Sequence, residues 1–315
     1  MGDLLVKTVI LLAVCNGEKY LTDQLRSLSA QDDPDFTVRY QDDGSSDGSE
    51  ALLRAWAASD SRFLPGTEQG RHLGAAGNFL SLIRQTDADR ALLCDQDDLW
   101  EPHKLSALGA AMTEAENRYG VETPILVHSD CSLMNEQGEP IGDRFFRHQG
   151  WDPGAVTLPR LLVQNNVTGC TLMMNRPLLN LIAAHGQAKD LFMHDWFIAL
   201  TAAAFGKVVF VDQPLTRYRQ HGDNAIGASR KNLLSRGFEA LKKKDESKRR
   251  ILLTYTHTMV FRKLYGTELP PEAARLTEDY LATRRMRKLP RIQAVRRLGC
   301  TMQSPITRLG QILFG

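Results

Sequence analysis

Two acidic clusters carry the chemistry in this 315-residue chain, Asp42-Asp43-Gly44-Ser45-Ser46-Asp47-Gly48 and Cys94-Asp95-Gln96-Asp97-Asp98-Leu99-Trp100. In the second, three carboxylates within four positions repel one another. Burial at the end of an apolar strand raises their pKa values unless a cation compensates them. A metal ion is the economical cation, and all-oxygen ligation suits Mg²⁺ or Mn²⁺, which take one or two carboxylates and fill their other positions with water and phosphate oxygens. A solvated acidic loop is the alternative. The first cluster has small turn residues that let a ligand approach the backbone, but it also reads as a tight turn capping a helix. His194-Asp195-Trp196 opens an apolar helix, whose dipole stabilises a first-turn carboxylate. Capping alone would account for Asp195. If it faces the same cleft as Asp97, it is a free carboxylate placed to take a proton from an incoming hydroxyl. Arg217-Tyr-Arg219-Gln-His221-Gly-Asp-Asn224 adds two guanidinium groups and an imidazole suited to a diphosphate or to a metal's outer positions.

These residues need elements that bring them together. Val9–Val14 reads as a buried strand, followed by a helix with Leu21, Leu25 and Leu28 on one face and a β-rich stretch, Phe36–Tyr40, running into Asp42. Helices through Leu53 and Trp56 and through Phe79, Leu82 and Ile83 lead to a strand at Ala91–Cys94 that ends in the second cluster. This alternation predicts an α/β domain around a mostly parallel sheet, with both clusters at strand C-termini, where open α/β sheets bind ligands. A helix from Pro102 to about Tyr119, strands at 125–127, 168–174 and 208–211, a loop over 135–155 and a helix near Asp195 complete the pattern.

Bulk composition narrows the classes. With 43% hydrophobic residues the chain can bury one large core. No charged-then-apolar leader and no run of about 18 apolar residues is visible, which predicts a cytoplasmic protein. Five widely spaced cysteines without a CxxC pair favour reduced thiols over a disulfide framework or a zinc cluster. The net charge of +2 hides an asymmetry: residues 1–229 hold 19 Lys/Arg against 30 Asp/Glu, and residues 230–315 hold 20 against 7. The split suggests two functional regions, one at 1–229 that carries both acidic clusters and a basic helical one at 230–315. That region has apolar faces at Leu234, Phe238 and Leu241 and at Ile306, Leu309, Ile312 and Leu313. It could be a solvated face, a peripheral contact with an anionic membrane at its inner face, or a nucleic-acid surface; no nucleic-acid module is recognisable.

Over roughly residues 6 to 226 the chain resembles the family 2 glycosyltransferases, whose nucleotide-binding fold is of the GT-A type. The matching pieces are the strand ending in Asn16-Gly-Glu18-Lys-Tyr20-Leu, the Asp42-Asp43-Gly-Ser-Ser-Asp47-Gly turn, Asp95-Gln96-Asp97-Asp98, and His194-Asp195. Within that family, DQDDLW, HDW and RQHGDNAIG look most like bacterial rhamnosyltransferases of surface-polysaccharide synthesis. The resemblance implies a donor site of Ala13, Cys15, Asn16, Glu18, Asp43, Asp95, Gln96, Asp97, Arg219 and His221. In it Asp43 accepts from the ring N–H of a pyrimidine base, Asp95 and Asp97 form the DxD-type motif, and Asp97 and His221 attend the metal. It further implies Asp195 as general base and an acceptor side bordered by the 166–171 segment, with Thr168, Gly169, His194 and Trp196. One departure stands out: the family commonly has Thr or Pro and an aromatic residue just before Asn16, where this chain has Ala13 and Cys15, so aromatic base stacking at position 15 is missing.

The implied reaction is a single displacement at an anomeric carbon, a saccharide or lipid-linked saccharide hydroxyl attacking opposite the nucleoside diphosphate, with inversion. The donor would be dTDP-L-rhamnose or another UDP- or dTDP-hexose. Competing readings are a nucleotidyltransferase, which would need a Gly-rich, Arg-containing loop after the first strand, and a non-catalytic nucleotide-sugar-binding protein of the same fold. A P-loop enzyme is excluded, since no GxxxxGK[ST] occurs.

Overall fold

The protein is described from a computed structural model over residues 6–221, apart from 188, 190 and 192, and over 238–314, with the side chains of 238–244, 246, 306 and 314 left aside. Leu234 and the Gly222–Asn224 part of the basic motif therefore lie outside the described residues, as does the side chain of Ile306.

The first half alternates as its periodicity predicts. It runs β1 (Thr8–Val14), α1 (Glu18–Ser29), β2 (Phe36–Asp42), α2 (Ser49–Ser59), β3 (Phe63–Pro65), α3 (Gly74–Arg84), β4 (Arg90–Asp95), β5 (Leu99–Trp100) and α4 (Lys104–Tyr119). There follow β6 (Ile125–Met134), β7 (Pro140–Gly142), α5 (Phe145–Gln149), α6 (Leu158–Leu161), β8 (Leu172–Asn175), α7 (Arg176–His185), α8 (His194–Phe205) and β9 (Lys207–Arg219). The basic region forms α9 (Phe238–Tyr265), α10 (Pro271–Thr283), α11 (Lys288–Arg297) and α12 (Pro305–Phe314).

Among the described residues, nine strands join one sheet in the order β3-β2-β1-β4-β8-β6-β9-β5, with β7 pairing β6 beside this path. β3, β2, β1 and β4 are mutually parallel, and β9 runs parallel to β6. β8 is antiparallel to both β4 and β6. Helical crossovers cover both faces of such a sheet, so its inner strands are apolar on both sides. Alternate residues of β1 accordingly divide between two cores: Val9 and Leu11 join α3, α7 and α8, while Ile10, Leu12 and Val14 join α1 and α4. The first core continues into the C-terminal helices through Tyr255, Phe261, Tyr265 and Tyr280.

Two segments depart from their sequence expectations. The 135–155 stretch is no plain loop: it contains β7 and α5, and Phe145 packs on Cys131 and Leu133. A two-aromatic anchor in a charged segment is too short to show periodicity. The strand expected at 168–174 begins as a 3₁₀ turn at Gly169–Thr171 and becomes β8 only at Leu172. Asn175 ends it by capping α7 through Leu178 N–H and by accepting from Ile125 N–H.

Candidate active site

Strand register assembles the site. Val14 pairs with Asp42, and Ala13 lies between Gln41 and Asp95, so β1, β2 and β4 deliver Cys15–Glu18, Asp42–Asp47 and Asp95–Asp98 to one edge of the sheet. Loop side chains lace these ends together. The Gln96 amide donates to the Cys15 carbonyl (2.7 Å) and accepts from the Cys15 N–H. Asn16, in left-handed conformation (φ 51°), accepts from Ser46 N–H, and Glu18 accepts from Gly48 N–H, each at 2.8 Å. Three side chains expected at the donor therefore also hold the loops that would receive it.

Asp42 folds its own turn, its carboxylate accepting from the N–H groups of Gly44 and Ser45 and from the Ser45 hydroxyl. Asp43 accepts from Leu73 and Gly74 N–H at the start of α3. The capping role weighed for this cluster is thus present, on the helix after next. An ionised carboxylate has about four lone-pair sites, so capping leaves Asp43 free to accept from a ligand. Cys15 lies beside it: burial first, then the Asp43, Asp42 and Asp47 charges, push its thiol pKa up. His72 (φ 51°) lays its imidazole over Gly44, in the space that a Cβ there would fill. Nothing in the sequence singled out His72; its placement depends on Gly44 adopting φ 90°.

The carboxylates at the end of β4 meet different partners. Asp97 Oδ2 lies 2.8 Å from His221 Nε2, whose ring stacks on Tyr20 at 5.3 Å between centroids. Burial, then Asp97 and then Asp195, raise the pKa of Asp95 to about 7. Asp95 thus feels the charge of both Asp97 and Asp195. Asp98 is buried behind them; burial and then Asp97 and Asp95 raise its pKa, while Arg219 N–H donates to its Oδ1 at 3.0 Å. Arg219 donates further to the carbonyls of Asp97 (2.8 Å) and Glu136 (3.0 Å) and lies over the Tyr20 ring. Its charge faces the cluster, but much of its donor capacity is spent on the backbone. Arg217 instead pairs with Glu101.

The residues fit a hard divalent ion. Repelling carboxylates with raised pKa values are what a bound cation would relieve, and Asp95 and Asp97 offer oxygen ligands beside His221. Asp95, Asp98 and Cys170 also bring possible ligand atoms within 4.8 Å of one another. Burial raises the Cys170 thiol pKa well above its usual value, so it stays neutral and suits Mg²⁺ or Mn²⁺ poorly. A protein cation shares the compensation. Lys104 Nζ, fully buried, donates to the Cys170 carbonyl (2.6 Å) and Thr216 hydroxyl (2.9 Å) and sits 3.4 Å from the Trp100 ring centroid. Burial lowers its pKa to about 8, against the raising influence of neighbours that include Asp98. A lysine in a helix's first turn normally reads as solvated, so no sequence signal distinguishes Lys104.

Asp195 is 7% exposed in the first turn of α8, and burial raises its pKa to about 7 against hydrogen bonds from the Trp196 and Gly169 N–H groups. Gly169 also abuts His194, whose buried imidazole packs on Phe79 and is kept neutral by burial, with a pKa of about 4. Trp196 turns into the core: its indole N–H donates to the Leu161 carbonyl and its ring stacks on His257 of α9. Half-buried Thr168 closes the 3₁₀ turn through its carbonyl. Of the residues expected on the acceptor side, Thr168 and His194 are half-buried and keep surface, whereas Gly169 and Trp196 are buried.

The family model described as "Glycosyl transferase family 2" matches residues 9–174. The dTDP-rhamnosyl transferase RfbG of Shigella flexneri is 26% identical over 233 residues, 69% of this chain and 74% of that protein. Among solved structures, S. aureus TarS 1–349 in complex with UDP-GlcNAc has a TM-score of 0.56 at 16% identity, covering 97% of this chain and 86% of that one. The mannosyltransferase PcManGT from Pyrobaculum calidifontis, in complex with GDP-Man and Mn²⁺, has a TM-score of 0.53 at 16% identity, covering 93% and 72%. The fold shared with these structures is the GT-A type. With more than half of its residues matched by the family model, the chain belongs to glycosyl transferase family 2 and is a nucleotide-sugar glycosyltransferase.

Proposed function

We propose that the protein transfers L-rhamnose from dTDP-L-rhamnose, with inversion, to a hydroxyl of a saccharide or lipid-linked saccharide, and that Asp195 is the general base. The observation that carries this reading is a buried carboxylate in the first turn of α8 whose pKa of about 7 suits proton transfer at neutral pH, beside the β4 carboxylates. Asp195 accepts the proton of the attacking hydroxyl, and the Gly169 and Trp196 N–H groups fix its orientation. Asp97, Asp95 and His221 would hold Mg²⁺ or Mn²⁺, and the ion's chemistry is to neutralise charge growing on the departing diphosphate. Asp43 accepts from the base N–H, with Cys15 and His72 at its sides. The named activity of the Shigella flexneri relative supports the choice of donor. Attack opposite the departing diphosphate makes the new linkage α for an L-rhamnose donor.

A panel of nucleoside diphosphate sugars, each scored by thermal shift with Mn²⁺, tests the donor without needing an acceptor, because a bound donor stabilises by mass action. The largest shift is expected with dTDP-L-rhamnose. A larger shift with another UDP- or dTDP-hexose would replace the donor, and no shift with any would remove the reading.

A further inference from the structure

We propose that the cleft enclosed by α9, α10, α11 and α12 seats the phosphate headgroup of an anionic membrane lipid. This narrows the membrane contact expected from charge to one place in the fold, and it stands independently of the catalytic assignments. The apolar wall of the cleft includes Tyr255, Tyr280, Val295 and Ile312, and Arg291, Arg296 and Arg308 line it as well. The two tyrosines stack at 4.9 Å, and their hydroxyls are already bonded to Thr283 and Thr254, so the wall asks for no polar partner.

The arginines are a different matter. Among the described residues, Arg291 and Arg296 have neither an ion pair nor a side-chain hydrogen bond, and Arg308 donates only to the carbonyls of Met302 and Gln303, which leave its charge uncompensated. No acidic residue lies on α11; on α10 Glu278 and Asp279 are engaged by Arg262 and Arg275, and neither Glu272 of α10 nor Asp245 of α9 lines the cleft. Three cations around an apolar cleft, in a region with 20 basic and 7 acidic residues, match an anion attached to hydrocarbon. Leucines of the same helices point the same way: Leu289 is 74% exposed, one turn before Ile292 on the α11 face that lines the cleft, and Leu309 and Leu313, 54% and 46% exposed, lie one turn apart on α12. A bilayer interface satisfies both features, whereas nucleic acid offers those leucines nothing.

The test is flotation of the full chain with vesicles of phosphatidylcholine alone or mixed equally with phosphatidylglycerol. Binding is expected only to the anionic vesicles, with Arg291→Glu/Arg296→Glu lowering partitioning by about tenfold or more. Arg284→Glu/Arg285→Glu, an equal change of charge outside the cleft, should have a much smaller effect. Leu309→Ser/Leu313→Ser should also weaken binding, and the melting temperature of each variant verifies its fold. Equal loss in the two arginine pairs would overturn the proposal in favour of diffuse attraction. It would equally be overturned by retained binding in the first pair, by binding to phosphatidylcholine alone, or by tighter, Arg291/Arg296-dependent binding to single-stranded RNA.

Discussion

Replacing Asp195 by Asn should harm activity and help stability, and both effects follow from one environment. Burial raises the carboxyl pKa from 3.8 to about 7 in the native protein. Below pH 4 the group is protonated in both folded and unfolded chains and contributes no pH dependence. Between pH 4 and 7 the unfolded chain ionises first, so native stability falls as pH rises, and above 7 the full cost persists. A shift of about three pH units amounts to roughly 4 kcal/mol, and Asn is free of it. With an unfolding entropy of about 2.1 cal/mol/K per residue over 315 residues, that is about 6 °C in melting temperature. Scans of both proteins in EDTA should therefore diverge from pH 4 to pH 7 and run parallel above it, the Asn variant on top. Turnover should drop by about 10² to 10⁴, the contribution of a general base, and the wild-type rate should fall on the acid side with a midpoint near 7. Melting curves whose separation ignores pH, or wild-type-like turnover in Asp195→Asn, would refute the reasoning.

Two other substitutions probe the surroundings. Lys104→Met leaves the Cys170 carbonyl and the Thr216 hydroxyl only their bond to each other and removes a cation near Asp98, so urea unfolding should show a loss of about 3–5 kcal/mol, typical of breaking a buried charge arrangement. Cys15→Tyr places an aromatic ring beside Asp43, and calorimetric titration with dTDP should show about two- to tenfold tighter binding, as a stacking gain of ~0.5–1.5 kcal/mol requires.

The parallel half of the molecule was legible because strands buried on both faces leave uninterrupted apolar runs, and the acidic clusters were legible because nothing in a core explains them. What escaped the sequence is direction and facing. No local pattern tells that β8 runs antiparallel between β4 and β6, since its residues are as apolar as those of a parallel strand. Nor does spacing reveal that, of three neighbouring carboxylates, Asp97 meets His221 while Asp98 retreats beneath Arg219. Trp196, one residue from Asp195, points into the core because successive helical positions differ by about 100°. Lys104 and His72 were missed for a related reason: each acts through a partner distant in sequence, Cys170 and Gly44 respectively.

Release of dTDP from dTDP-L-rhamnose by the purified protein, followed with Mn²⁺ and then with excess EDTA, tests the carboxylate centre most directly. Release that needs the metal, stops with EDTA and is lost in Asp97→Ala is the expected result. Release that continues undiminished in EDTA, or in Asp97→Ala, would contradict a metal-assisted departure of the diphosphate at the end of β4.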